Sequence, residues 1–398
     1  MKIAFLVSRV PYPLEKGDKL RAYHQLKHLS KTNEVHLICL NDGIVHEKDI
    51  EHLKTLCASV TVHKLAKIKL VWRLLLAAFS RKPYQVHYFY DKTVAGKIER
   101  QLKQINPDHI YCQLIRTTEY VKNLHEFQKT LDYMDAFSKG MQRRIEREGF
   151  IVRQFVKAEA NRLTAYENLI FDYFDHKTII SDQDRDLIYH KNRKEIVVIP
   201  NGVDEILLND TSIAEKKYDV LFHGNLSYTP NVDCVKYMVN EVMPLLVKFR
   251  PGISVAISGA NPSAKVTELC KKFPENITLL GFVENIIPTY KSARIFFAPL
   301  QIGTGLQNKI LEAMALKIPC VTSELCNNAL NGENGKHLIT AKKPVNYVNA
   351  IVNLLDNPVY AQQVAIDGHA FISTFYSWEK GNEQLSKLFE KNIAPARQ

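Results

Sequence analysis

Within APLQIGTGLQNKILEAMALKIPCVTS, residues 298–323, one cation, one carboxylate and two glycines fall at spacings that suit an anionic ligand bearing hydroxyl groups. Gly303, Thr304 and Gly305 interrupt an apolar strand and open a helix expected over 306–317, with Pro319 just beyond it. A glycine turn leading into a helix offers backbone N–H groups and the positive end of the helix dipole, a setting for phosphate. Lys309 falls in the first turn, where the dipole disfavours a cation by roughly 0.3–1 kcal/mol unless an anion is near. Glu312, one turn further, can accept hydrogen bonds from the vicinal hydroxyls of a ribose. At about 100° per residue, Leu306, Ile310, Ala313 and Met314 share an apolar flank, while Gly305, Asn308, Lys309 and Glu312 gather on another. An ordinary strand, turn and helix with a solvated polar side is the alternative these residues leave open.

The elements that must carry these groups follow a strand–helix rhythm. In the second half KYDVLFHG, ISVAISGA, ITLLGFV, RIFFAPL, PCVTS and KHLIT are six apolar strand candidates, separated by helical stretches that include 231–249. Together they predict a doubly wound α/β sheet. The loop HGNLSYTPNVD, with Asn225, leaves the first of these strands at the sheet edge that also carries the glycine turn. In the first half KIAFLVS, EVHLICL, SVTVHKL, HIYCQL and TLDYMD are apolar runs of the kind buried in a parallel sheet. A helix begins near Asp18, a suitable N-cap. Gly17 at its entrance either admits a ligand close to the backbone or is a plain turn glycine. Asp135 ends TLDYMD at the carboxyl edge, where such sheets meet ligands, although an Asp there is also an ordinary helix cap. A long charged helical stretch follows, over roughly 138–171.

The net charge of +11 is unevenly placed. Residues 1–200 hold 34 Lys and Arg against 24 Asp and Glu, a net +10, which leaves +1 for the rest. The first half therefore expects an anionic partner. Between Glu51 and Asp91 there is no acidic residue, and Lys67, Lys69 and Arg73 alternate with Trp72 and a leucine run. This pattern reads as a basic amphipathic helix lying on an anionic membrane surface, or as a core-facing helix with a solvated basic side. Seven scattered cysteines read as reduced thiols of a cytosolic protein. There is no C-x-x-C pair or His-x-x-x-His spacing to support zinc. Nothing approaches the roughly 18 apolar residues of a membrane span, and the apolar amino terminus reads as a first strand.

The 298–323 segment resembles the carboxyl-domain signature of family 4 glycosyltransferases, in particular sugar transferases of exosortase and exopolysaccharide gene systems. In these, G-x-G-[IL]-x-N-K-[IV]-L-E-A-M-A follows an A-P-L strand. The resemblance implies a GT-B fold: α/β, with two Rossmann-like doubly wound domains facing across a cleft and a C-terminal helix crossing back to the first. The P-N-G-V-D segment at 200–204 is similar to the family's linker. This places an acceptor-binding domain at 1–195 with helix 377–398, and a nucleotide-sugar domain at 196–376. The implied activity is transfer of a sugar, with retention, from a nucleotide-diphosphate sugar to a lipid-linked or polysaccharide acceptor in cell-surface polysaccharide synthesis. The implied donor contacts are Gly17, Asn225, Val283, Gly303, Thr304, Gly305, Asn308, Lys309 and Glu312, with catalytic roles for Lys309, Glu312 and Asp135. Val283 belongs to the loop that covers the nucleotide base in the family.

Two departures from the broader family bear on the site. Thr304 stands where many members carry an acidic residue eight positions before the glutamate, and Asn225 and Pro230 stand where many carry a phosphate-gripping arginine and lysine. The phosphate load then falls on Lys309 and backbone amides. No D-x-D segment is present to hold a divalent ion, so metal independence is expected, with no cofactor because the nucleotide sugar is a substrate. The expected location is cytoplasmic, peripheral on the inner face of the membrane, without nucleic acid as a partner. The competing readings are a GT-B sugar-nucleotide epimerase, which would need placed acid and base residues, and a non-catalytic glycan- or membrane-binding relative.

Overall fold

The structure is a computed structural model that describes residues 1–14, 16–65, 77, 80–146, 149–302 and 306–390. Gly303, Thr304 and Gly305, and the basic-stretch residues Lys67, Lys69, Trp72 and Arg73, lie outside the described residues. The chain divides into two compact units, Met1–Pro200 with Glu379–Gln398, and Asn201–Trp378.

The first unit holds seven parallel strands: β1 (Lys2–Val7), β2 (Glu34–Asn41), β3 (Ser59–Lys64), β4 (His109–Gln113), β5 (Gln128–Asp132), β6 (His176–Ile179) and β7 (Val197–Val198). Their order across the sheet is β3-β2-β1-β4-β5-β6-β7, and Phe5 of β1 stands opposite Leu37 on one side and Tyr111 on the other. Ile3, Phe5 and Val7 turn to one face and Ala4 and Leu6 to the other, and both sets are buried because helices cover both faces. Leu26 and Leu29 from helix Gly17–Leu29 cover the first face, together with Leu385 and Phe389 from the terminal helix Trp378–Glu390. Ile98, Leu102, Leu163 and Ile170 cover the second.

A buried charge pair ties this unit together. The Arg21 side chain is fully buried, and its Nε and Nη2 donate to the two oxygens of Asp132 at 2.6 and 3.1 Å. Its Nη1 donates to the Ile199 carbonyl at 2.8 Å. Asp132 accepts further bonds from the hydroxyls of Tyr111 at 2.8 Å and Thr178 at 3.0 Å, and from the Met134 N–H at 3.2 Å. One helix is thereby joined to β4, β5, β6 and the segment after β7.

Several element bounds differ from expectation for physical reasons. The first helix begins at Gly17 with Lys16 at its N-cap, so Asp18 does not cap it but pairs with Arg9 at 3.0 Å from the first turn. The strand expected to end at Asp135 ends at Asp132, whose carboxylate the arginine holds in the sheet. The 138–171 stretch is a hairpin of two helices, Phe137–Ile145 and Phe150–Phe171, packed on each other. The 231–249 stretch opens earlier as Thr229–Tyr237, passes through a π-helical turn at Met238–Val242 and continues as Met243–Phe249. Pro244 has no N–H for the carbonyl four residues earlier, which breaks the α-helical ladder there.

The second unit holds six parallel strands: β8 (Tyr218–His223), β9 (Val255–Ser258), β10 (Ile277–Gly281), β11 (Ala293–Ala298), β12 (Cys320–Ser323) and β13 (Ile339–Ala341). Their order is β10-β9-β8-β11-β12-β13, so the winding reverses between β8 and β11. Beside the carboxyl ends of those two strands an open α/β sheet leaves room for a ligand. Among the described residues no helix is long and apolar enough to cross a membrane.

Replacing Arg21 by Met leaves Asp132 charged and buried without its partner. Such a change is expected to cost about 3–5 kcal/mol, read as a lowered midpoint in urea unfolding followed by circular dichroism.

Candidate active site

β8 ends at His223, and the chain turns through Gly224 and Asn225. The end of β9 approaches very closely: Gly259 has φ +140°, and a Cβ there would lie 1.7 Å from the Gly224 carbonyl oxygen. Only glycine meets both conditions. The Gly224 N–H donates to the Ser258 carbonyl at 3.1 Å and the Gly259 N–H to the Gly281 carbonyl at 2.7 Å, which locks the three strand ends side by side.

The helix after β11 spans Asn308–Ala315, shorter at both ends than the expected 306–317. Gln307 is extended at its N-cap, and Lys317 adopts a left-handed φ of 57° that ends it before Pro319. Lys309 is the second residue, and its side chain runs along Gly224: a Cβ on that glycine would lie 3.3 Å from the lysine Cε and 2.8 Å from Asn231 Nδ2. The ammonium donates to Asn231 Oδ1 at 2.5 Å, and the Asn231 amide donates to the Asn225 carbonyl at 2.9 Å. It also stands 5.5 Å from the centre of the Phe222 ring, within cation–π range. Among the described residues it forms no ion pair. Burial pulls its pKa down from the ordinary lysine value, so an unneutralised cation is held at a helix N-terminus, against the dipole.

Glu312 follows one turn later. Its Oε2 accepts from the hydroxyl of Tyr290 at 2.8 Å. Tyr290 is fully buried on helix Ile286–Lys291, with its ring stacked on Phe296 at 5.3 Å. Burial raises the Glu312 pKa, and the Tyr290 hydrogen bond and the Lys309 charge pull it back. Its Oε1 has no hydrogen bond among the described residues. Asn308 accepts from the Asn201 amide at 2.9 Å, which fixes the helix start against the segment entering this unit. His223 pairs its Nδ1 with the Ser258 hydroxyl at 2.7 Å. Burial, then the Lys309 charge, pushes its pKa down to about 4, which leaves it neutral beside the ammonium at neutral pH.

Asn225, Asn308, Lys309 and Glu312 are thus assembled at one edge of the second sheet. The Asn225 side chain is occupied locally, since its Oδ1 accepts from the backbone N–H and hydroxyl of Ser227 at 3.0 and 2.8 Å. Val283 is half-buried beyond Gly281, which has φ +69°, with Phe282 exposed beside it. Gly17 and Asp135 belong to the first unit. Asp135 lies beyond the end of β5, where burial and then the charge of Asp184 push its pKa well above the usual carboxylate range. Asp184 is itself fixed by the Ser181 hydroxyl at 2.5 Å and the Ala136 N–H at 3.3 Å. Among the described residues no group of three or more His, Cys, Asp or Glu side chains is placed to hold a metal ion.

Sequence reasoning missed Asn231, His223 and Tyr290. Asn231 carries a signal, since it closes the polar loop HGNLSYTPN that begins at the end of β8. Tyr290 lies 22 residues before its carboxylate partner, with no periodicity linking them.

Residues 217–357 match the family described as "Glycosyl transferases group 1". The "Uncharacterized 44.6 kDa protein in cps region" of Klebsiella pneumoniae is 24% identical over 417 residues, covering 98% of this chain and all of that protein. A GDP-mannose-dependent monoacylated alpha-(1-6)-phosphatidylinositol monomannoside mannosyltransferase of Corynebacterium glutamicum is 24% identical over 212 residues, covering 48% of this chain and 55% of that one. Among solved structures, Anabaena Alr3699/HepE in complex with UDP-glucose superposes with a TM-score of 0.67 at 12% identity, covering 98% of this chain and 100% of that one. Over residues 217–357 the second unit is similar to group 1 glycosyl transferases, and the two Rossmann-like units have the GT-B fold.

Asn231→Ala removes the acceptor of the Lys309 ammonium and the donor to the Asn225 carbonyl together. It is expected to lower the unfolding free energy by roughly 1–3 kcal/mol, and adding Lys309→Met in the same chain is expected to cost less than the two single changes combined. Urea denaturation of the four proteins measures both.

Proposed function

We propose that the chain is a retaining glycosyltransferase that moves a sugar from a nucleotide-diphosphate donor to a lipid-linked or glycan acceptor in cell-surface polysaccharide synthesis. The observation that carries this reading is the Lys309 ammonium, which among the described residues hydrogen-bonds a neutral amide and no carboxylate, at a helix N-terminus beside the ends of β8 and β11. A diphosphate supplies the anion that this arrangement lacks. The similar proteins add support: one belongs to a cps region, one is a GDP-mannose-dependent mannosyltransferase, and one has been solved with UDP-glucose.

In this mechanism the second unit binds the nucleotide sugar and the first binds the acceptor. Lys309 exchanges the Asn231 oxygen for a phosphate oxygen, and the helix N-terminus with the amides of 303–305 completes the grip. The bond from the anomeric carbon to the phosphate oxygen breaks, and charge collects on the diphosphate, where a fixed cation stabilises it more than it stabilises the intact donor. The acceptor hydroxyl oxygen bonds to the anomeric carbon on the face being vacated. Its proton passes to the departing phosphate, so retention needs no protein nucleophile. Glu312, turned by Tyr290, accepts from the ribose hydroxyls through its other oxygen. Asp135, Gly17, Val283, Asn308 and Thr304 are proposed as further contacts, with Asn225 contributing through its backbone because its side chain is used within its own turn. No cofactor or metal enters. The basic stretch with Lys67, Lys69, Trp72 and Arg73 is proposed to hold the protein on the inner face of the membrane.

Incubating the protein with UDP-, GDP- and ADP-sugars and a lipid-linked acceptor extract, with mass spectrometry of products, is expected to reveal one donor consumed and one glycosylated product. Lys309→Ala is expected to lower turnover of that donor by about 10²–10³-fold. Consumption of no donor, or unchanged turnover in the variant, would overturn the proposal.

A further inference from the structure

The helical hairpin of the first unit carries apolar groups that its own fold leaves outside. On helix Phe150–Phe171 the buried residues begin at Val156. Before it, Phe150 is 79% exposed, Ile151 84%, and Val152 and Phe155 about half. Six residues at about 1.5 Å each make roughly 9 Å of helix with no buried side chain. A soluble surface seldom gathers large apolar groups this way without a partner.

This tip is built firmly into the unit. Phe155 packs against the ring of Tyr84 at 4.8 Å, and the Arg162 guanidinium lies 4.7 Å from the centre of that same ring. Glu159, one turn below Phe155, accepts from the Tyr84 and Gln85 N–H groups at 2.8 and 3.3 Å. Helix Phe137–Ile145 lies alongside.

The charges around the tip identify the partner. Arg153 and Lys157 are exposed one turn apart on the tip helix, and Arg143 and Arg144 end the companion helix. Among the described residues the exposed carboxylate nearest Arg153 and Lys157 in sequence is Glu146, because Glu159 is buried. A second copy of the same surface would set cations against cations. An anionic bilayer accepts both features at once, with apolar side chains below the headgroups and cations among them. The depth reached by an interfacial helix, about 5–10 Å, matches the exposed length.

We propose that the tip of this hairpin docks the protein on an anionic lipid bilayer, with Phe150, Ile151 and Phe155 entering the interface and Arg153 and Lys157 meeting the headgroups. This refines the peripheral-membrane part of the proposed function using residues other than the 67–73 stretch, and it does not depend on the transferase reading.

The test is co-sedimentation at low salt with vesicles of phosphatidylcholine alone and with about 30% phosphatidylglycerol added. Wild type is expected in the pellet with the anionic vesicles, released by salt and weakly bound to the neutral ones. Phe150→Asp with Ile151→Asp, and separately Arg153→Glu with Lys157→Glu, are each expected to reduce binding about tenfold or more. A variant with Lys67, Lys69 and Arg73 changed to Gln is expected to keep the binding that depends on the tip. Circular dichroism and donor turnover in vesicle-free solution accompany every protein, so loss of the membrane contact and loss of the transferase are read separately. The proposal is overturned if wild type ignores the anionic lipid, or if the tip variants bind like wild type. It is equally overturned if light scattering shows those variants losing a dimer while vesicle binding persists.

Discussion

The ammonium of Lys309 is the constraint around which the second unit is arranged. It reaches the end of β8 because residue 224 has no side chain, and that glycine holds its place because residue 259, just beyond β9, also lacks one. Two absent methyl groups, two strand ends and a helix start are thus fitted to a single cation. The cation is then answered by an amide oxygen and an aromatic face rather than by a carboxylate. Burial and dipole both disfavour its charge, a cost that the proposed diphosphate would offset. Glu312, the nearby acid, is turned aside by Tyr290, which keeps the two opposite charges from closing on each other.

The first unit solves the opposite problem. Arg21 is equally buried but fully answered, with two bonds to Asp132, one to a backbone carbonyl, and the second oxygen and lone pairs of Asp132 taken by hydroxyls and an N–H. A closed network of this kind serves the fold, since it offers nothing further to a ligand. The contrast is between an arginine paired with a carboxylate in one sheet and a lysine that, among the described residues, meets only an amide oxygen and an aromatic face in the other.

Much of this was legible from residue patterns. Eleven of the thirteen strands among the described residues stand on apolar runs of parallel-sheet type, because both faces of each sheet are covered and most strand positions are therefore apolar. Lys309 and Glu312 were legible because a cation in a first helical turn breaks a local rule and so calls for an explanation. What was hidden depends on contacts distant in sequence. Arg21 sits among charged neighbours in DKLRAYHQLKHL, and nothing there shows that Asp132, 111 residues later, will bury it. The strand end was placed at Asp135 rather than Asp132 for the same reason. Tyr290 and Asn231 were likewise invisible as partners until the fold brought their helices to the glutamate and the lysine.

The central claim, that Lys309 waits for a diphosphate, is tested most directly by calorimetric titration of wild type and Lys309→Met with UDP, GDP and ADP beside their monophosphates, across the alkaline range. At least one diphosphate is expected to bind more tightly than its monophosphate. That preference is expected to fade as pH rises below the ordinary lysine titration, since the depressed pKa of the free ammonium releases its proton early. In Lys309→Met the preference and its pH dependence are expected to be absent. Equal binding of mono- and diphosphates by wild type, or a diphosphate preference undiminished in the variant, would contradict the account.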